Sequence, residues 1–174
     1  PVNAIYSDGT DSLENNSNSI LNNNIFNFTS NGITVAGTNN KGGAGSWTVT
    51  GNNFYMDNGP SSSQIAINLV QGNFPGNGNN TITGNTGDGI GVFRNAQADI
   101  AGNTLNSNGG SGVSVGFNGG VQLGEDNPST FFDQPNITTV NNLGYGIVCS
   151  LGAYVRGHLG NTNQIGGALG QTNL

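Results

Sequence analysis

A repeat of 23 residues constrains this chain more than any other feature of its sequence. The segment Asn80-Thr81-Ile82-Thr83-Gly84-Asn85-Thr86-Gly87-Asp88-Gly89-Ile90 aligns without a gap on Asn103-Thr104-Leu105-Asn106-Ser107-Asn108-Gly109-Gly110-Ser111-Gly112-Val113. Fainter copies flank this pair. Asn23-Asn24-Ile25 leads to Gly32-Ile33 with the same internal spacing, and Asn52-Asn53-Phe54 leads to Ile65 after an insertion of about three residues. Gly146-Ile147 repeats Gly112-Val113 after 34 residues, with an insertion between. Self-similarity at this period marks a chain built from stacked units, none of which buries its apolar face alone.

The stretch after each Gly-Ile/Val alternates with period two: Ile33/Val35, Ile65/Ile67, Ile90/Val92, Val113/Val115 and Ile147/Cys149. That is the pattern of a strand with one inward face. A second strand repeats as Ala98/Ile100 and Val121/Leu123, with Val155 at the equivalent place. Gly or Asn interrupts nearly every window in which a helix could start. The expected fold is therefore all-β: a single-stranded right-handed parallel β-helix, or β-solenoid. About six coils, each rising about 4.8 Å, make a rod of roughly 30 Å. Inward Ile, Val and Leu fill the bore in columns.

Turns between such strands require φ > 0, which favours Gly and Asn. The chain has 31 Gly, and Asn is as abundant. Asn23, Asn52, Asn80 and Asn103 occupy one turn position of successive coils, where stacked amides can form a hydrogen-bonded ladder that satisfies buried backbone groups.

The whole chain, 1–174, reads as one domain, a segment of a longer surface protein or a chimera. Residues 4–86 are richer in Asn, Ser and Phe, while 87–170 hold the tighter units. Charged residues are only 7% and the net charge is −6. Three basic residues (Lys41, Arg94, Arg156) give no electrostatic footprint for nucleic acid or an anionic membrane. No apolar run approaches the roughly 20 residues of a membrane span, so no membrane insertion is expected. Cys149 is alone, which excludes an intrachain disulfide, and its Ile-Val-Cys context reads as a small buried hydrophobe. The chain opens Pro-Val-Asn with no initiator Met, like a trimmed or mature protein.

The pattern N-T-[IL]-x-x-N…G-[IV]-x-V, carried by Asn80–Val92 and Asn103–Val115, resembles that of the parallel β-helix repeat proteins of the pectate-lyase-like superfamily, in a secreted or cell-surface bacterial form. The resemblance runs from about Ala4 to Gly167 and rests on structural residues. It implies polysaccharides as ligands, bound along one parallel sheet. In that superfamily the lyases use an Asp cluster with Ca²⁺ and an Arg or Lys base, and the hydrolases use paired Asp.

The repeat places Asp99, Gln122 and Arg156 in one outward column, with Gln97, Gly120 and Tyr154 in the neighbouring one. Asp99 and Arg156 are the candidate catalytic residues, with Gln122, Tyr154 and Gln97 as candidate binding residues. Glycoside hydrolysis needs two carboxylates about 5–9.5 Å apart, and this face shows no such pair. An insertion at 124–135 carries Glu125, Asp126 and Asp133, candidate oxygen ligands for Ca²⁺, beside Phe131 and Phe132. No other cofactor is expected. Thr48-Val49-Thr50 and Thr81-Ile82-Thr83 fall in different registers and build no ice-matching Thr ladder.

Two functions follow from these features. The first is a structural or adhesive extracellular solenoid whose uncapped ends stack head to tail on further copies or coils. The second is a polysaccharide-binding or polysaccharide-cleaving module that works through Asp99, Gln122 and Arg156.

Overall fold

The computed structural model describes residues 4–7, 17–36, 46–55, 65–70, 73–78, 80–124, 136–139, 141–157 and 165–173. Among them there is no helix, and all strand pairing is parallel. A seven-stranded sheet contains β1 (Ile5–Ser7), β4 (Ile33–Ala36), β7 (Ile65–Val70), β10 (Asp88–Phe93), β13 (Val113–Gly116), β16 (Tyr145–Cys149) and β18 (Gly170–Thr172). A six-stranded sheet contains β2 (Ser17–Leu21), β5 (Ser46–Thr50), β8 (Asn73–Gly78), β11 (Gln97–Ala101), β14 (Gly120–Leu123) and β17 (Tyr154–Gly157). The third, five-stranded, contains β3 (Asn24–Phe26), β6 (Asn53–Tyr55), β9 (Thr81–Thr83), β12 (Thr104–Asn106) and β15 (Ile137–Thr138).

From β2 to β16 the chain visits the six-, five- and seven-stranded sheets in fixed rotation, so each strand pairs with the strand three further on. One pass through the three sheets is called a circuit below. All three sheets continue across residue 86, through the pairings of β7 with β10, β8 with β11 and β9 with β12. The compositional change between the two halves of the sequence therefore produces no break in the sheets.

The inward columns meet in one core. Ile33, Ile67, Ile90, Val113 and Ile147 are fully buried in the seven-stranded sheet, while Val49, Ile100 and Leu123 line the six-stranded one. The three-residue strands each turn their middle residue inward, and Ile25, Phe54, Ile82 and Leu105 are buried. The pairings Ile90↔Val113↔Ile147 and Ala98↔Val121↔Val155 follow the spacing of the repeat.

One register differs from the sequence alignment. Ile33 and Ile90 both pair with Ile67, and Val35 and Val92 with Leu69, so the inward pair is Ile67/Leu69 rather than Ile65/Ile67. Ile65 instead pairs with Asp88 in the backbone register. A period-two pattern repeats itself after a two-residue slip, and three apolar residues in a row of alternate positions leave the choice to the neighbouring strands. Strand β8 carries one extra residue relative to both neighbours, and the displacement falls where Pro75 sits, a place where a missing backbone N–H is tolerated.

The turns distribute their roles differently from the simple expectation. Positive φ belongs to the residue before several of the stacked corner Asn: Asn22, Gly51 and Gly102 precede Asn23, Asn52 and Asn103, and Gly84 and Ser107 precede Asn85 and Asn108. The ladder Asn residues themselves have negative φ. The glycines of the Gly-Ile/Val motif also lack positive φ, and close approach requires them instead. A Cβ on Gly112 would lie 2.5 Å from Thr138 Cγ2 and 2.7 Å from the Gly146 carbonyl oxygen of the next circuit.

Cys149 is half-buried, not buried as its apolar context suggested. Strand β18 ends at Thr172, opposite Ile147, and Asn173 bonds the Cys149 backbone: its Oδ1 accepts the Cys149 N–H at 2.7 Å. The remaining burial pushes the thiol pKa up.

Candidate functional site

The backbone amides at one corner of each circuit have no strand partner, and side-chain amides replace it. Asn23, Asn52, Asn80 and Asn103 form the expected ladder, which continues to Asn136. In each rung one Asn donates both its backbone N–H and its Nδ2 to Oδ1 of the next. From Asn80 to Asn103 the distances are 3.0 and 2.9 Å. The second Nδ2 proton bonds a strand carbonyl, as from Asn52 to Ile20 and from Asn80 to Val49, both at 2.9 Å. Asn23 is exposed at the first rung, whereas Asn80 and Asn103 are buried.

A second ladder, not anticipated, runs through Asn85, Asn108 and Asn142 at the opposite end of the three-residue strands. Its signal lay in the same alignment, since Asn85 and Asn108 are 23 apart and Asn108 and Asn142 are 34 apart. A shallow groove of about 440 Å³ lies over this corner, lined by Thr86, Ser107, Asn141 and Leu143 among others. Its Asn108 is committed to the ladder.

The two outward columns of the six-stranded sheet form as the repeat predicts. Asp99 pairs with Gln122 and Gln122 with Arg156, while Gln97 pairs with Gly120 and Gly120 with Tyr154. Asp99 and Arg156 stand two strand spacings apart, about 9.6 Å. Gln122 donates from Nε2 to the Gly124 carbonyl at 2.8 Å. Tyr154, 45% exposed, lies across Gly120 and donates its hydroxyl proton to Gln97 Oε1. Gly120 leaves the space: a Cβ there would overlap both Gln97 Oε1 and Tyr154 Cζ. The described residues hold two carboxylates, Asp88 on β10 and Asp99 on β11, which lie in different sheets.

Asp88 was not singled out from the sequence. Its Oδ1 accepts the Ser111 N–H at 2.7 Å, tying one circuit to the next. Burial raises its pKa above the ordinary carboxylate value, and hydrogen bonds from Ser111 and Ser114 partly offset this.

Beside the Tyr154 column, a two-residue turn joins the seven- to the six-stranded sheet in three successive circuits: Arg94-Asn95, Phe117-Asn118 and Leu151-Gly152. All six residues have φ between 51° and 75°. Bonds from Ala96 N to Phe93 O, Gly119 N to Gly116 O and Ala153 N to Ser150 O close turns of the I′ kind. The turns also bond to one another, from Asn95 N to Phe117 O and from Asn118 N to Leu151 O. Phe117 is 55% and Leu151 62% exposed. The ring of Phe93 covers Gly116, the residue before the middle turn.

Glu125, Asp126 and Asp133, with Phe131 and Phe132, lie outside the described residues. Among the described residues no group of three His, Cys, Asp or Glu could hold a metal ion. The chain matches no protein-family model, no curated protein and no solved structure.

Proposed function

We propose that the three sheets are the walls of a right-handed parallel β-helix, and that the chain is a structural module of an extracellular surface or fibre protein. The handedness follows the strong preference of parallel crossovers for the right-handed sense. The fixed rotation through three parallel sheets and the paired Asn ladders support the solenoid, as does the resemblance of the repeat to β-helix proteins.

One observation carries the structural role: the six-stranded sheet ends in β2 on one side and β17 on the other, with no described strand on either outer edge. Such edges present unpaired N–H and C=O groups to another chain. Because all strands run parallel, β2 of a second copy adds to β17 in the direction of the existing ladder. That contact is head to tail and does not close, so it extends into a filament.

Sedimentation velocity over a hundredfold concentration range, with electron microscopy of the same samples, tests this. Particles should lengthen along one axis as concentration rises, and Val155→Pro should suppress the growth. A particle that stays monomeric throughout would refute the end-to-end reading.

A further inference from the structure

The seven-stranded sheet holds both the first and the last described strands, β1 and β18, and so has one strand more than the six-stranded sheet. Along the chain, consecutive strands of the six-stranded sheet are separated by one strand of the seven-stranded sheet. β13 lies between β11 and β14, and β16 between β14 and β17. The end-to-end reading lays β2 of a second copy on β17, one strand spacing of about 4.8 Å away. That spacing leaves a single place in the seven-stranded sheet between them. Two strands compete for it, β18 of the first copy and β1 of the second.

The competitors are unequal. β1 pairs with β4 at three positions, Ile5↔Ile33, Tyr6↔Thr34 and Ser7↔Val35. β18 pairs with β16 at two, Tyr145↔Gly170 and Ile147↔Thr172. The buried column Ile33, Ile67, Ile90, Val113, Ile147 continues at one end into Ile5, which packs against the core. At the other end it continues into Thr172, a hydroxyl-bearing side chain in an otherwise apolar column. Beyond Thr172 a side chain does the work of a strand. Asn173 Oδ1 accepts the Cys149 N–H at 2.7 Å, and its Nδ2 donates to the Cys149 carbonyl at 3.0 Å. Both bonds are exposed, so water competes for them.

We propose that β18 is a displaceable cap on the end-to-end surface. In the assembly, β1 of a second copy takes its place on β16, with Ile5 against Ile147 and Ser7 against Cys149, as β2 lands on β17. This rests on the end-to-end reading and adds its control. An edge already occupied by its own chain lowers the apparent affinity for a second copy by the fraction of time the cap is away. The exchange involves the residues after Gly166, because Gly166 is fastened to the preceding circuit. Its N–H donates to Thr138 Oγ1 at 2.7 Å, and that hydroxyl donates to the Gly166 carbonyl at 2.8 Å.

Two full-length variants and hydrogen exchange test it. Asn173→Ala unfastens the cap and should lower the concentration of half-assembly, read by sedimentation velocity, by about two- to tenfold. Thr172→Ile completes the column on the cap and should raise that concentration. In particles of the parent chain, residues 168–173 should exchange amide hydrogens faster than in the monomer, while 5–7, now paired on both edges, exchange more slowly. Particles in which 168–173 keep their protection, or variants that both assemble at the parent's concentration, would overturn the cap and leave the end-to-end reading standing. Failure of the parent chain and Asn173→Ala alike to assemble would remove both.

Discussion

Asn80 donates both its backbone N–H and its Nδ2 to one atom, Oδ1 of Asn103, at 3.0 and 2.9 Å. Asn103 in turn donates to Oδ1 of Asn136 at 3.1 Å from N and 2.8 Å from Nδ2. One side chain thus serves the circuits on both sides of it. Asn103→Ala strands the Asn80 backbone N–H in a buried corner and should cost about 2–3 kcal/mol. Asn23→Ala, at the exposed first rung, should cost less than about 1 kcal/mol. Urea unfolding of both variants measures the difference. Equal losses would mean that burial does not set the worth of a rung.

Val113 is buried in the core between Ile90 and Ile147, and Thr104 faces outward on β12. Val113→Asp should destabilise by about 3–5 kcal/mol or prevent folding, since its charge finds no partner. Thr104→Asp should stay within about 0.5 kcal/mol of the parent chain. Thermal melts of the pair report the register directly, because a one-residue slip would exchange the two results.

Gly112 needs room rather than a special φ. Gly112→Ala should lose about 1–3 kcal/mol through overlap with Thr138 and the Gly146 carbonyl. In the Thr138→Ala background the loss should shrink but persist, because the carbonyl remains. A double-mutant cycle in guanidinium chloride separates the two parts.

Asp88 makes stability depend on pH in a defined direction. Its folded pKa is raised, so between the unfolded and folded values the native state holds more protons than the unfolded chain. The group therefore stabilises least above its folded pKa, and its contribution improves as pH falls toward the unfolded value. Asp88→Asn keeps an acceptor for the Ser111 N–H without the charge. Compared with the parent chain, it should be as stable or more so at pH 7, with the gap closing through the acidic range. Melting temperatures from pH 3 to 7 check the sign, and a gap that widens on acidification would contradict it.

Much of this fold was legible as spacing. Stacked circuits repeat their buried side chains at a constant interval, so the 23-residue offset alone located Asn80 above Asn103, Ile90 above Val113 and Asp99 above Gln122. The same offset held the second ladder in plain view at Asn85 and Asn108. It went unread because a repeated Asn does not show whether its amide points along the stack or into solvent.

The sequence by itself determined the period, the inward columns and the first amide ladder, because a stacked unit repeats its chemistry at a constant interval. Only the tertiary structure decided the phase of Ile65-Ile67-Leu69, since an alternating pattern looks the same after a slip of two. Contacts between circuits also decided why Gly112 is glycine, a crowding by Thr138 and Gly146 that local turn rules do not contain. At the candidate site the sequence put Gln97, Gly120 and Tyr154 in one column. The structure added that Tyr154 folds back over Gly120 to reach Gln97, a pairing that arises because the missing Cβ between them leaves space for a ring.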